Sequence, residues 1–400
     1  MASGRGSLDG IRVLDLIDGP GAYGPKLLVG FGADVIRVEP PAGSIARRRR
    51  SPWRIAHHGG DPGTYFVHYN AGKRGITLDP VRPAGRHLLS RLLDRAAIVF
   101  DNGLLARAGF PINQLIEREP PLVIVSVSPF GTEGPRSDWQ GSDLIIQAMS
   151  GMIGYFGYCN ERPARFGPAQ AEEMSGLAAA LGALIAWHGS HSSGRGEFVD
   201  IAMQRVCALT TFQMSNASLY HQFGFTRERS HRATGLPSGL YQALDGYFAF
   251  NAWRDTDQTV AFLERFDSAL PLRELYASLG AEAFQHSQEA GDAVASFVAS
   301  RTRAELTEIV QAHGLMGLPV HDVKDLLADP FLRQRAFFVD VDVPGFLAPI
   351  ADAGPPVRMS GTPFLAGRRP PLVGEHNVEV FEELGLGLAE LASLSAEGIV

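Results

Sequence analysis

The chain has 400 residues, of which 45% are hydrophobic and 20% are charged, and its formal net charge is −7. This composition is that of an ordinary globular protein, and the negative charge argues against a general nucleic-acid-binding protein. Because the length exceeds what one hydrophobic core usually organises, we expect two domains, or one domain with a large excursion.

Short β-branched runs alternate with helical patterns over residues 1–208. The runs are IRVLDL at 11–16, DVIRVE at 34–39, AAIVF at 96–100 and LVIVSVS at 122–128. Strands that alternate with helices predict a mostly parallel sheet covered by helices, so the expected fold class is α/β.

A glycine motif follows the first of these strands. Gly19, Gly21 and Gly24 spell G-x-G-x-x-G before a predicted helix, and Glu39 ends the next strand. In that context the motif is typical of NAD or FAD binding, with the acidic residue on the ribose hydroxyls. A tight strand-to-helix turn in a fold without a nucleotide accounts for the same glycines, and Pro20 inside the turn weakens the dinucleotide interpretation.

A helix is predicted from Glu172 to about His188. Glu172 and Glu173 lie at its N-terminus, where unpaired backbone N–H groups and the helix dipole stabilise negative charge. They are either ordinary first-turn acids or a catalytic carboxylate with its neighbour. Large apolar residues recur at three- and four-residue spacing among small ones that would let another backbone approach closely, so we expect the helix to lie in a core. The large residues are Leu177, Leu181, Leu184 and Ile185.

The remainder of the chain changes character twice. Residues 209–239 form a predicted linker that ends in a glycine loop, and residues 240–328 a predicted small domain with a hairpin at Asp245-Gly246. Residues 329–400 form a predicted return linker with short strands, followed by a helical stretch from Asn377. We expect this C-terminal segment to pack on the large domain.

The chain lacks the sequence signatures of several enzyme and cofactor classes. The chain has no P-loop, no G-x-S-x-G elbow and no H-E-x-x-H helix. Its histidine pairs have no neighbouring carboxylate or cysteine, and its two cysteines have no paired spacing, so we expect neither a metal site nor disulfides. The N-terminus has no apolar signal core and no run reaches membrane-spanning length, so a cytoplasmic protein without a membrane partner is expected.

Eight sequence blocks together resemble the family III CoA-transferases, the CaiB/BaiF family, which also contains 2-methylacyl-CoA racemases. The blocks cover nearly the whole chain in the family's order. They are LDGIRVLDL at 8–16, GADVIRVEPPAG at 32–43, YNAGKRGITLDP at 69–80, PLVIVSVSPFGTEGP at 121–135, GSDLIIQAMSG at 141–151, SGRGEFVDIAM at 193–203, GLPVHDVKDLLADP at 317–330 and PPLVGEH at 370–376.

The resemblance implies a Rossmann-like large domain, a smaller α+β domain and two interlocked subunits. It also implies an enzyme that moves CoA from an acyl-CoA to a carboxylic acid through mixed anhydrides and an enzyme-bound thioester. Coenzyme A is then a substrate, and no tightly bound cofactor is expected. A homodimer is expected, with a heterodimer containing a catalytic paralogue as the alternative.

The nucleophile that the resemblance implies is Glu172. The family has an Asp four residues before the glycine that matches Gly176, so Glu replaces Asp here. One added methylene moves the carboxylate by about an ångström, and a misplacement of that order can cost roughly 10²-fold in rate. Either Glu172 is the working nucleophile, or the chain is a non-catalytic, CoA-binding subunit whose partner supplies the Asp.

Further site residues follow from the resemblance. Gln170 and Glu173 flank Glu172 and are expected to shape its charge, and Gly235 and Gly239 frame a loop similar to the family's active-site lid. Basic residues of the CoA site would neutralise phosphates, and an amide would bond the pantetheine or ribose region. The CoA-binding set is Arg37, Glu39, Lys73, Arg74, Asn102 and Arg107.

Racemase activity is disfavoured. Racemase relatives carry a His immediately before the Asp that matches Asp143, and this chain has Ser142 there, so one partner of the acid/base pair is missing. The sequence indicates neither the acid acceptor nor the CoA donor.

Overall fold

The computed structural model divides the chain into two compact units. Residues 1–156, 164–227 and 333–400 form the first unit, and residues 157–163 and 228–332 form the second. The structure describes residues 6–48, 63–154, 156–157, 159, 161–210, 213–225, 229, 239–251, 256–266, 272–285, 287–346, 348–354 and 356–400.

A six-stranded parallel sheet lies at the centre of the first unit, which confirms the predicted α/β fold. Its strand order is β3-β2-β1-β4-β5-β6, so the chain order reverses between β1 and β4. In open parallel sheets, ligands bind beyond the carboxyl ends of the strands at such a reversal. The strands are β1 Arg12–Asp15, β2 Asp34–Glu39, β3 Arg74–Thr77, β4 Ile98–Asp101, β5 Val123–Ser128 and β6 Glu197–Ala202.

Helices cover both faces of this sheet because alternate strand residues point to opposite sides. Val13 belongs to the core cluster that includes α1 and α7, and the next residue, Leu14, belongs to the cluster that includes α3 and α16. The helices of the first unit are α1 Tyr23–Gly30, α2 Thr64–Asn70, α3 Pro83–Leu93, α4 Leu104–Arg107, α5 Ile112–Ile116, α6 Asp143–Met149, α7 Gln170–Ser193, α8 Met203–Thr210, α9 Gln213–Phe223, α16 Asn377–Glu383 and α17 Leu388–Ala396.

The second unit is a three-stranded antiparallel sheet packed on helices. Its first two strands form the hairpin predicted at Asp245-Gly246, with Ala243 paired to Gly246. The strands are β7 Gly239–Ala243, β8 Gly246–Asn251 and β9 Met316–Pro319, and the helices are α10 Thr256–Phe266, α11 Leu272–Gln285, α12 Gln288–Ala299, α13 Arg303–Ala312 and α14 Val323–Ala328.

The return segment begins with a short helix and an antiparallel pair of strands. They are α15 Pro330–Gln334, β10 Phe338–Val341 and β11 Ile350–Ala353. The helical stretch predicted from Asn377 is α16. No described helix of either unit has the length and apolar character needed to cross a membrane.

Helix α7 lies in the core as predicted, but of the four large apolar residues that the spacing singled out, only Leu184 packs against that core. Leu177, Leu181 and Ile185 are 49%, 61% and 64% exposed. The buried face consists mainly of small residues, because only small side chains let the helix backbone lie close to α1, β5 and β6. These residues are Ala171, Ser175, Gly176, Ala179, Ala180, Ala183, Ala186 and Ser190.

Two glycines meet where α1 packs on α7. A Cβ on Gly24 would lie 3.0 Å from the Gly176 carbonyl oxygen, and a Cβ on Gly176 would lie 2.7 Å from Tyr23 Cβ. Gly21 has a φ of +94°, and a Cβ there would lie 2.8 Å from Val127. The packing of α1 therefore requires two of the three glycines in the G-x-G-x-x-G motif, with no nucleotide.

We expect Gly176→Ala to lower the free energy of unfolding by about 1–3 kcal/mol, because the new methyl group overpacks the α1–α7 contact. Gly189→Ala in the same helix is the control. Apart from its chain neighbours and the backbone of its own helix, no described atom lies within 4 Å of a Cβ at Gly189, so this change should stabilise the protein by about 0.5–1 kcal/mol. Urea unfolding measures both values, and unchanged stability in Gly176→Ala would contradict the close approach.

Candidate active site

Glu172 lies in the first turn of α7, and its side chain is buried. The residue is 5% exposed, and the Tyr65 hydroxyl donates a 2.7 Å hydrogen bond to Glu172 Oε2. Tyr65 belongs to α2, so one oxygen of the carboxylate is held by a neighbouring helix. The positive end of the α7 dipole stabilises the charge of this carboxylate.

Glu173 also accepts a hydrogen bond from a tyrosine of α2. The Tyr69 hydroxyl donates a 2.5 Å hydrogen bond to Glu173 Oε1. Tyr65 and Tyr69 are four residues apart in α2, which places them on one helix face, and their ring centroids are 4.4 Å apart. Burial, and then the charge of Glu173, raise the pKa of Tyr69, so its hydroxyl stays protonated and can donate.

A buried cation lies in the electrostatic field of Glu173. Lys26 of α1 donates a 2.9 Å hydrogen bond to Asp352 of β11, and its Nζ is 3.2 Å from His68 Nδ1. Burial lowers the pKa of Lys26, although the charges of Asp352 and Glu173 oppose that change. This cluster ties the return segment to α1 and to α2, the helix whose tyrosines contact the two glutamates.

A second buried ion cluster lies at the carboxyl ends of β1 and β2. Lys73 Nζ is 2.7 Å from Asp15 Oδ2, and Arg37 forms ion pairs with Asp15 at 3.5 Å and Asp18 at 3.3 Å. Burial lowers the pKa of Lys73 to about 8, although Asp15 opposes that change. Within the described part of the chain, Arg37 Nε is buried with no hydrogen-bond partner.

Glu39 and Arg74 are engaged in ion pairs of the protein itself. Both oxygens of Glu39 accept hydrogen bonds from Arg47, at 2.8 and 2.6 Å. Burial opposes ionisation of Glu39, but the Arg47 hydrogen bonds and charge outweigh it and lower the pKa of the carboxyl group. Arg74 contacts the carboxylates of Asp34, Glu379 and Glu383.

Asn102 lies in the turn that follows β4, and Arg107 ends the short helix α4 after that turn. The Asp101 carboxylate accepts hydrogen bonds from the backbone N–H groups of residues 103, 104 and 105, which fixes the start of α4. Arg107 is exposed and Asn102 is half-buried. Among the residues that the structure describes, neither side chain has a hydrogen-bond or ion-pair partner, so both are available to a ligand.

The other predicted site residues are spread over the chain. Gln170 is the first residue of α7, two residues before Glu172, and Gly239 begins β7 in the second unit. Gly235 lies outside the described residues. No group of three or more histidine, cysteine or carboxylate side chains that could hold a metal ion was found among the described residues.

Sequence reasoning missed Tyr65, Tyr69 and Lys26. The two tyrosines carry a readable signal in TYFVHYN, since a four-residue spacing puts two hydroxyls on one helix face. That spacing does not tell which carboxylates they meet. Lys26 gives no such signal, because its partner is 326 residues away in the sequence.

Comparison with known proteins identifies relatives along nearly the whole chain. The family described as CoA-transferase family III matches residues 8–377. Succinyl-CoA:(R)-benzylsuccinate CoA-transferase subunit BbsE of Thauera aromatica is 32% identical over 97% of both chains. Succinyl-CoA:mesaconate CoA-transferase of Haloarcula hispanica is 30% identical over 96% of this chain and 97% of its own.

A solved structure has the same fold. The crystal structure of a CAIB/BAIF family protein from Brucella suis superposes with a TM-score of 0.80 and 26% identity, over 95% of this chain and all of that one. These matches confirm the resemblance drawn from the eight sequence blocks. The chain belongs to CoA-transferase family III, and it is an enzyme that transfers CoA between an acyl-CoA and a carboxylic acid.

Proposed function

We propose that Glu172 is the nucleophile of this CoA-transferase and that succinyl-CoA is its CoA donor. The observation that carries the first part is the position of the Glu172 carboxylate. It lies in the first turn of α7, where the family has its Asp, and Tyr65 holds one of its oxygens at 2.7 Å. The second part is supported by the relatives whose names specify succinyl-CoA.

The reaction proceeds by exchange of carboxylates and a thiolate on acyl carbons. A Glu172 oxygen attacks the thioester carbonyl, the C–S bond breaks, and the CoA thiolate leaves a mixed anhydride. The thiolate then attacks the Glu172 carbonyl carbon, which forms a glutamyl-CoA thioester and releases the donor acid as its carboxylate.

The second half repeats these steps with the acceptor acid. Its carboxylate attacks the glutamyl thioester and expels the thiolate, which then attacks the acceptor's carbonyl in the new anhydride. The products are a new acyl-CoA and the Glu172 carboxylate. Every step exchanges one anion for another, so no net proton is taken up, and no tightly bound cofactor takes part.

The longer side chain of Glu172 is accommodated by its hydrogen bond to Tyr65. A free glutamate has one more rotatable bond than aspartate, and a hydroxyl on one oxygen removes part of that freedom before the substrate binds. Glu173, held by Tyr69, supplies charge beside the nucleophile and does not exchange acyl groups.

For the CoA-binding residues we propose two roles. Asn102 and Arg107 contact CoA directly, because their side chains are available at the carboxyl edge of the sheet near the chain reversal. Arg37 is buried and acts on the site through its ion pairs with Asp15 and Asp18, which fix the carboxyl end of β1. Lys73 and Glu39 are paired within the protein and hold strand ends that frame the CoA site. Arg74 begins β3 and pairs with Asp34, the first residue of β2, so it lies at the amino edge of the sheet and supports the fold rather than the CoA site.

We further propose that a second chain covers the apolar face of α7. Leu177, Leu181 and Ile185 form an exposed stripe, and contiguous exposed apolar surface marks association sites. A second copy of this chain, interlocked as the family resemblance implies, is the occupant we favour, acting in the cytoplasm. The description of BbsE as a subunit supports a paralogous chain as the alternative.

We expect purified wild-type protein, incubated with succinyl-CoA and then hydroxylamine, to carry a hydroxamate on Glu172, because the acylated carboxylate is the electrophile that hydroxylamine traps. Tryptic mass spectrometry locates the modification. Glu172→Gln should show no adduct and should lose CoA exchange activity by at least about 10³-fold.

Glu173→Gln is the matched control, since it removes the adjacent carboxylate from the same helical turn. It should keep the Glu172 adduct. Equal exchange rates in wild type and Glu172→Gln would remove Glu172 from the mechanism. A wild-type protein that binds CoA but forms no adduct would favour the non-catalytic subunit.

We expect Arg107→Ala to weaken CoA binding about 10- to 100-fold, because it removes a charge-assisted hydrogen bond to phosphate. Calorimetric titration with CoA measures the affinity. Arg195→Ala, at an exposed arginine just before β6, is the control and should bind CoA as wild type does. Unchanged affinity in Arg107→Ala would exclude this residue from the site.

We expect Lys73 to titrate near pH 8 in the folded protein, because burial disfavours its charged form. The chain has only three lysines, so protein labelled with 13C at the lysine Cε gives three resolvable signals, and Lys73→Met assigns one of them. Between pH 8 and 10.5 the unfolded chain then binds more protons than the folded chain.

In that pH window Lys73 makes the free energy of unfolding rise with pH, by at most about 1.4 kcal/mol per pH unit. Lys73→Met should remove this part of the slope in urea unfolding. A Lys73 signal that titrates near 10.5 would show that the ion pair with Asp15 fully offsets burial, and would contradict the lowered pKa.

A further inference from the structure

A carboxylate from another helix caps the N-terminus of α7. Asp143 is the first residue of α6 and is 7% exposed. Its Oδ1 accepts a 2.8 Å hydrogen bond from the backbone N–H of Ala171, the residue immediately before Glu172. This N–H has no intrahelical acceptor, because it belongs to the first turn of the helix.

Helix α7 has no cap of its own. Its N-cap residue is Ala169, whose methyl group accepts no hydrogen bond, and no side chain at this position caps the helix. Ala169 also has a φ of 60°, a left-handed conformation that non-glycine residues adopt at a cost of about 1–3 kcal/mol. The start of α7 is therefore fixed by contacts from outside the helix.

The same helix α6 fixes the segment that leads into α7. The second oxygen of Asp143 accepts hydrogen bonds from Gln147 Nε2 at 2.8 Å and from Arg165 at 3.2 Å. Gln147 Nε2 also donates to the Gly167 carbonyl at 3.0 Å, and its Oε1 accepts from the Phe166 N–H at 3.1 Å. Residues 165–171 are thus attached to α6 at both ends.

We propose that Asp143 is a positioning residue for the reaction: it sets the backbone at Ala171 and thereby the direction in which the next residue, Glu172, presents its carboxylate. This inference rests on the proposed function. Tyr65 fixes the carboxylate of Glu172, and Asp143 fixes the backbone from which that side chain starts. Together they set the direction from which the carboxylate attacks the thioester. Asp143 does not contact the acyl group.

The first experiment compares Asp143→Ala, which removes the cap, with Asp143→Asn, which keeps an oxygen for the Ala171 N–H. Asp143→Ala should lower kcat about 10²-fold, because an ångström of misplacement costs that much. The KM for succinyl-CoA should change by less than about threefold, because the interaction is used only when the carboxylate attacks. Asp143→Asn should recover kcat to within about tenfold of wild type, since its amide oxygen still accepts the bond.

Asp322→Ala is the control for loss of a helix cap. Asp322 accepts a 2.8 Å hydrogen bond from the Asp325 N–H at the start of α14, in the second unit. Its replacement should leave kcat unchanged. If Asp143→Ala does not fold, Asp143→Glu provides a second variant, because it keeps the charge but displaces the oxygen, and it should show the same loss of kcat.

The second readout does not depend on activity. Hydrogen–deuterium exchange, resolved to single amides by fragmentation, reports the Ala171 N–H directly. Its exchange should be at least about tenfold faster in Asp143→Ala than in wild type, and Asp143→Asn should retain most of the protection. The Glu173 N–H, which donates to the Ala169 carbonyl at 2.9 Å, serves as the reference amide.

The possible failures are distinguishable. If wild-type protein forms no Glu172 adduct, the proposed function fails and this inference fails with it. If the adduct forms but Asp143→Ala keeps the wild-type kcat, only the positioning role of Asp143 is overturned. The positioning role is also overturned if kcat falls while the exchange of Ala171 stays at the wild-type rate, because the cap would then not be the cause.

Discussion

The close contact of α7 with α1 and the sheet is the constraint on which the rest of the first unit depends. Two glycines meet at this contact, and the buried face of α7 is otherwise built mainly of small side chains. The backbone of α7 therefore lies close to its neighbours, and this packing does not tolerate larger side chains. Because Glu172 lies one turn before Gly176, the depth at which α7 packs also sets the position of the carboxylate that we assign to catalysis.

Two sets of contacts position that carboxylate. The backbone at the start of α7 is attached to α6 by Asp143, and the side-chain end is held by a tyrosine of α2. Each helix is anchored in turn, α2 by the buried ion cluster that follows it and α6 by its packing on α7 and α8. A glutamate in place of the family's aspartate is thus compatible with a defined geometry, because neither end of the side chain is free.

The sequence predicts the architecture well and the faces of the elements less well. Alternating strand and helix patterns suffice for the parallel sheet, and Asp245-Gly246 suffices for the hairpin, because both signals are local. The spacing of Leu177, Leu181 and Ile185 predicts that they lie in the core, because large apolar residues usually do, but the structure exposes all three. The prediction fails because the sheet accepts only small side chains at this distance, and spacing alone does not reveal that distance.

The site shows the same limit. The eight sequence blocks point to Glu172, but its tyrosine partner lies 107 residues earlier, and the pairing of Glu39 with Arg47 depends on how the loop between them folds. The family resemblance groups Asn102 and Arg107 with Lys73 and Arg74 as CoA-binding residues. Only the structure shows that Lys73 and Arg74 already form ion pairs within the protein. Contacts between polar groups that are far apart in the sequence produce no periodic pattern from which they could be predicted.

The scarcity of lysine has a consequence for an enzyme that handles thioesters. Unprotonated amines attack thioesters without any catalyst, so every accessible lysine is a place where the substrate can be consumed by permanent amide formation. Two of the three lysines, Lys26 and Lys73, are buried and each pairs with an aspartate, and Lys324 alone is exposed. The chain carries its surface positive charge almost entirely on arginine, whose guanidinium remains protonated and does not become acylated.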